Sequence, residues 1–211
     1  MFKRLTFSVL LSTLVASGLS AQGGDAISSR STRVTAFTGG LAHSSALVVD
    51  PAGRSDTRLG PGATFGLEVQ FPTFSFASLY AGAAGSFSTL EHGSNLGAAA
   101  GPGSSGATII LGTAGLAFEA SDWFDNLRPT LRLGAGFKAY QFTTSGASSS
   151  SSVTGDFGVG FRGGAGVIEV SGELRFLPSA FDQGKLPLRG LVPQDQQQSD
   201  LLFTVGVTVR P

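Results

Sequence analysis

From Leu201 to Arg210 the chain reads LLFTVGVTVR, and its residues alternate in kind. Leu201, Phe203, Val205, Val207 and Val209 are apolar. Between them stand Leu202, Thr204, Gly206, Thr208 and Arg210. A repeat of two residues is the period of a β-strand with two unlike faces. The same alternation returns at 63–71 (ATFGLEVQF), 130–140 (TLRLGAGFKAY), 153–162 (VTGDFGVGFR) and 167–176 (VIEVSGELRF). Three weaker segments complete the set. In 107–119, Ile110, Ala114, Leu116 and Phe118 share a face, but the face that ends in Glu119 also carries Ile109 and Leu111. Residues 76–87 are mostly small, and 33–42 is a strand by position as much as by pattern. The expectation is eight strands, each about long enough to cross a bilayer at a tilt.

The connections carry a second pattern. The segments 43–60, 88–106, 143–152 and 177–199 are longer and rich in Ser, Gly and Gln, whereas 72–75, 120–129 and 163–164 are shorter. Longer and shorter connections alternate. In an up-and-down barrel this gathers the long loops at one end and the turns at the other, the asymmetry of outer-membrane barrels.

Composition decides which face meets what. Of 211 residues only 13% are charged, while 31 are Gly; soluble domains average about 25% charged residues. The polar faces hold five acids, Glu68, Glu119, Asp156, Glu169 and Glu173, and five bases, Arg132, Lys138, Arg162, Arg175 and Arg210. Those same faces are loaded with Gly, which weakens a strand and solvates nothing. A narrow lumen accounts for both, since Gly leaves room for long side chains and balanced charges can pair there. The polar face is therefore expected inside and the aliphatic face against lipid. An interfacial aromatic girdle is expected from Phe71, Phe74, Phe118, Trp123 and Phe124 at the short-turn end, and from Tyr140, Phe142 and Phe176 nearer the long loops.

The start, MFKRLTFSVLLSTLVASGLSAQ, has basic Lys3-Arg4, an apolar stretch and then small residues up to Ala21, the form of a secretory signal peptide. The expected organisation is a signal peptide over 1–21, a lead-in over 22–32 and a barrel over 33–211. Removing Lys3 and Arg4 from 14 bases leaves 12 against 14 acids, a formal charge of −2. So balanced a chain makes no electrostatic case for nucleic acid. It has no Cys, so neither a disulfide scaffold nor a thiolate metal site is expected.

Taken together, residues 33–211 resemble the small eight-stranded outer-membrane β-barrel proteins of the OmpA/OmpX transmembrane type. The resemblance implies an all-β, antiparallel, up-and-down barrel in the outer membrane of a diderm bacterium. It implies outer-membrane lipid and lipopolysaccharide as surroundings, insertion by the barrel-assembly machinery, and no cofactor. Many such proteins end on an aromatic residue, whereas this chain ends Val209-Arg210-Pro211.

Two motifs suggest chemistry. Gly158-Val159-Gly160-Phe161-Arg162-Gly163 matches G-x-G-x-x-G, but a strand pattern follows where a dinucleotide site needs a helix. His92-Gly93-Ser94-Asn95 is similar to the motif of the outer-membrane lipid A deacylases. That resemblance implies Ser94 as nucleophile and His92 as its base. The acid that would orient His92 is missing, because 96–118 contain none and Glu91 points to the opposite face by parity. With two His and no clustered acids, no metal site is expected. The leading expectation is a non-enzymatic barrel with a structural or surface-interaction role and a narrow, charge-filled lumen. The alternatives are a deacylase-like esterase using His92 and Ser94, and a soluble lipocalin-like carrier with its aliphatic face inward.

Overall fold

A computed structural model describes residues 31–43, 46–49, 56–74, 76–92, 105–120, 127–143, 148–164, 167–181 and 196–210. All regular structure among them is strand: β1 (Arg33–His43), β2 (Ala46–Val49), β3 (Asp56–Leu59), β4 (Gly62–Pro72), β5 (Ala77–His92), β6 (Ser105–Glu119), β7 (Leu127–Phe142), β8 (Ser150–Gly163), β9 (Ile168–Phe181) and β10 (Gln196–Val209). Eight of these close a barrel. Neighbours in sequence pair antiparallel from β4 through β10, and β1 joins β4 to β10. Closure runs from Val34↔Val209 to His43↔Asp200. A closed barrel satisfies every ladder hydrogen bond internally, which is the condition for a sheet to cross lipid.

The alternation read from sequence becomes the two faces of the wall. In β10, Leu201 is 43% exposed and Leu202 is fully enclosed. Phe65, Leu67, Leu133, Phe157, Val159, Val170 and Val207 are all exposed on the outer face. A lipocalin-like carrier would turn this set inward, so the soluble alternative does not fit the barrel.

The strands run further than the apolar pattern does. β5 continues to His92 and β10 begins at Gln196, inside segments expected as loop. The first long connection is also partly ordered. β3 continues the ladder of β4 along β5, with Thr57↔His92 against Ala63↔Phe87, a register slip of one residue. The break falls at Gly60-Pro61. Gly60 N still donates to Thr89 O at 2.8 Å, but Pro61 has no N–H to give. β2 pairs edge to edge with β3, so part of the connection extends the wall of the barrel in its own sheet. At the opposite end the turns are tight. Phe74 N donates to Ala77 O at 2.9 Å, and Gly164 takes φ +150, which disfavours any side chain.

Candidate functional site in the barrel lumen

The inner face of the wall is divided by height. At the short-turn end, four arginines converge on two carboxylates. Arg33 and Arg162 bind Glu119, the latter at 2.5 Å, while Arg128 and Arg210 bind Glu169. Arg162 also donates to Gln70 Oε1 at 2.8 Å. Above them, Arg132 Nη2 donates to Glu68 Oε1 at 2.8 Å and stands 3.1 Å from Glu173 Oε2. Its guanidinium carbon stacks over the Tyr80 ring at 4.2 Å. Arg175 grips Asp156 through Nε and Nη2, and Tyr80 Oη donates to the same carboxylate at 2.7 Å. Gly134 makes this possible, because a Cβ there would overlap the Tyr80 hydroxyl. Each buried ion thus faces an opposite charge, and Glu68, Asp156 and Arg162 gain a neutral hydrogen-bond partner as well, which favours ions away from water.

Nine of the ten charged residues expected to line the lumen lie in this lower network; Lys138 lies higher. Arg33 and Arg128 belong to the network too, in addition to the ten expected residues. Arg33 opens the vaguest strand and Arg128 stands in a segment expected as turn.

The upper lumen is largely apolar, which departs from a wholly polar interior. Leu41, Ile109, Leu111, Leu177, Leu202 and Tyr140 form one buried cluster. Ile109 and Leu111 share a face with Glu119, so the weak alternation of 107–119 marks a strand whose inner face changes character along its length. Tyr140 and Phe142 correct the expected girdle. Both have inward parity; Tyr140 is fully enclosed, and Phe142 stacks on it at 6.4 Å between ring centroids. The phenol is polar enough to share a face with Lys138, and its ring fills the lumen. On the outer wall Phe74, Phe76 and Phe118 stack in a row at 6.1 and 6.5 Å, with Phe71 half-buried and Phe176 exposed. Trp123 and Phe124 lie outside the described residues.

Within the apolar shell sits one polar group. Lys138 Nζ donates to Asp200 Oδ2 at 2.7 Å, to Leu177 O at 2.6 Å and to Ser179 Oγ at 3.0 Å. Asp200 Oδ1 accepts from Gln198 Nε2 at 3.2 Å and lies 2.8 Å from His43 Nδ1. The other ring nitrogen of His43 is 3.4 Å from Ser88 Oγ. The acid beside His43 comes from a strand 157 residues away. The alternative esterase pair fares differently. The backbone of His92 pairs with Thr57, while Ser94 lies outside the described residues. Among the described residues no group of three or more His, Cys, Asp or Glu could hold a metal ion.

No family model matches the chain, and neither does any curated protein. Solved structures do match. AlkL, determined in DMPC lipid bilayers, is 16% identical with a TM-score of 0.55, over 89% of this chain and 93% of its own. OprG from Pseudomonas aeruginosa, an outer-membrane protein, is 11% identical with a TM-score of 0.54, over 85% and 96%. Ail from Yersinia pestis is 11% identical over 85% and 99%, at a TM-score of 0.47. The fold is that of the small eight-stranded outer-membrane β-barrels. At such identities the likeness concerns the backbone, and the contents of this lumen have to be read from its own residues.

Proposed function

We propose that this protein is an integral outer-membrane barrel with a sealed lumen and a structural or surface-interaction role. The N-terminal segment 1–21 serves as its export signal, and the barrel-assembly machinery inserts it among lipid and lipopolysaccharide. The long connections face outward from the cell and carry any surface contact. One observation carries the reading. Side chains occupy the barrel from the Glu119–Glu169 arginine cluster to the Leu41–Leu202 layer, and two cavities among the described residues, near Thr204 and near Leu202, are each about 10 Å³. That volume is at the limit for one water molecule. Eight strands enclose about the space their own side chains occupy. Among the described residues the lumen therefore presents no continuous ion path.

The test is reconstitution in a planar bilayer after purification in detergent. A quiet membrane is expected, with insertion verified by protection of the strands from protease. Steady unitary conductance from the folded barrel would overturn the sealed lumen. A monomer soluble in plain buffer would overturn the membrane reading itself.

A further inference from the structure

The polar group inside the apolar shell has a geometry that salt bridging alone does not require. Asp200 accepts a hydrogen bond at both oxygens: Oδ2 from Lys138, and Oδ1 from Gln198. A carboxylate so held has no proton to donate, so the Nδ1 of a neutral His43 must carry the hydrogen in the 2.8 Å contact with Oδ1. That fixes the tautomer. The lone pair of Nε2 is left aimed at Ser88 Oγ, 3.4 Å away. Nucleophile, base and orienting acid then stand in the relation by which hydroxyl-nucleophile sites are recognised on unrelated folds, by geometry and not by sequence order. Separations a little long are usual in unliganded sites.

Two further observations point to a ligand. Thr64 and Ser86 are directly opposed across β4 and β5, one inward position below Ser88. Their hydroxyls are buried without a hydrogen-bond partner, and the two residues border the small apolar cavity that Leu41, Leu111 and Leu202 enclose and that Ser88 and His43 do not line. Unpartnered buried hydroxyls are costly unless something uses them. In addition, Gly62 stands opposite Ser88, and a Cβ there would overlap the Ser88 hydroxyl. A bare backbone at that position leaves the hydroxyl free to turn towards His43.

We propose that the upper lumen is a serine-hydrolase site for small apolar carboxylic esters, with Ser88 as nucleophile, His43 as base and Asp200 as positioning residue. Ser88 Oγ attacks the ester carbonyl carbon while its proton passes to His43 Nε2. The carbonyl oxygen, now an oxyanion, accepts from the Thr64 and Ser86 hydroxyls. The C–O bond to the leaving alcohol breaks, and the alcohol departs with the proton held by His43. Water then attacks the acyl-Ser88 ester and gives its proton to His43. Ser88 regains a proton as the carboxylic acid is released. The cavity admits about one water as it stands, so side chains of the apolar cluster must move aside, which restricts the acyl part to a short chain. The site goes beyond the scaffold reading and is independent of it, since the barrel can insert and seal whether or not Ser88 reacts.

The test treats the full-length folded barrel in detergent micelles with an alkyl fluorophosphonate and with p-nitrophenyl butyrate. Displacement of fluoride by Ser88 Oγ should leave a phosphonyl adduct that peptide mass spectrometry assigns to Ser88. Ser88→Ala should abolish adduct and turnover. His43→Gln should slow both by about 10²–10⁴-fold, the range for loss of a general base. Asp200→Asn should lower kcat with KM within about twofold, a split that mere loosening of the barrel does not produce. Heat-modifiable migration on gels shows that each variant is folded. A folded wild type that takes no label, labelling at another serine, or labelling unchanged in folded His43→Gln would each overturn the proposal. Conductance of the same preparation reports on the sealed lumen separately.

Discussion

Arg175 holds Asp156 with two bonds at once, Nε to Oδ1 at 2.9 Å and Nη2 to Oδ2 at 2.6 Å, both buried inside the barrel. Tyr80 completes the carboxylate from a strand 76 residues away. Breaking such a pair from one side is worse than removing both members, because the survivor is left charged and alone. Asp156→Ala should therefore destabilise the barrel by about 3–5 kcal/mol. The double change Asp156→Leu with Arg175→Met should recover most of the loss. Urea unfolding from lipid vesicles measures both, and a single variant within about 1 kcal/mol of wild type would mean that the contact is not formed.

Leu201 and Leu202 are neighbours in sequence with opposite surroundings. Leu202 packs in the lumen against the apolar cluster, and Leu201 faces outward. Leu202→Ala should cost about 2–5 kcal/mol, as for a well-packed core leucine. Leu201→Ala should cost much less, since lipid tails close over the missing methyls. The same unfolding measurement ranks them, and equal losses would contradict the assignment of faces.

Charge placed on the outer wall should report depth. Val205→Arg, within the exposed aliphatic band, should cost about 2–4 kcal/mol, whereas Ser151→Arg, beyond that band on β8, should cost about 0–1 kcal/mol. Thr204→Arg is no milder control. Thr204 lines a cavity of about 10 Å³ beside Arg162 and Arg175, which leaves no space for a third guanidinium. Folded fractions after refolding into short-chain lipid distinguish these variants.

Two glycines should behave in opposite ways. At Gly134 a Cβ would overlap the Tyr80 hydroxyl and the Ala114 carbonyl, whereas at Gly172 a Cβ meets nothing within 4 Å. Gly134→Ala should lower the midpoint of thermal unfolding. Gly172→Ala should leave it unchanged or raise it, with a gain of about 0.4–1 kcal/mol from the less flexible unfolded chain.

The walls of the barrel are legible in the sequence because lipid imposes one demand on every strand, and alternation answers it. The contents of the lumen are less legible. Ile109 and Leu111 read as noise in 107–119, yet they are the apolar layer itself. Ser88, His43 and Asp200 stand in or beside segments that look like loop, since the apolar pattern on the other face has ended there. Parity carries further than hydrophobicity does. His43 lies two residues beyond Leu41, Asp200 two before Leu202, and Ser88 two beyond Ser86, all on inward positions of strands that have not yet stopped. Continuing the count past the last aliphatic residue would have placed all three inside. That they meet one another depends on barrel closure and register, which no local pattern encodes.

The seam between β8 and β9 is unequal to its neighbours. Its ladder rises from Gly163↔Val170 to Thr154↔Ser179, and among the described residues no pair forms above that, while β7–β8 continues to Tyr140↔Ser150 and β9–β10 to Gln196↔Phe181. Pro178 withholds an N–H at this place, and Thr154 Oγ1 bonds the Pro178 carbonyl at 3.0 Å in its stead. Cooperative closure is therefore uneven around the circumference. Amide hydrogen exchange should be fastest along β8 between Ser151 and Val153 and slowest where β1 meets β10, so a barrel closed all the way round would still have a preferred place to fray.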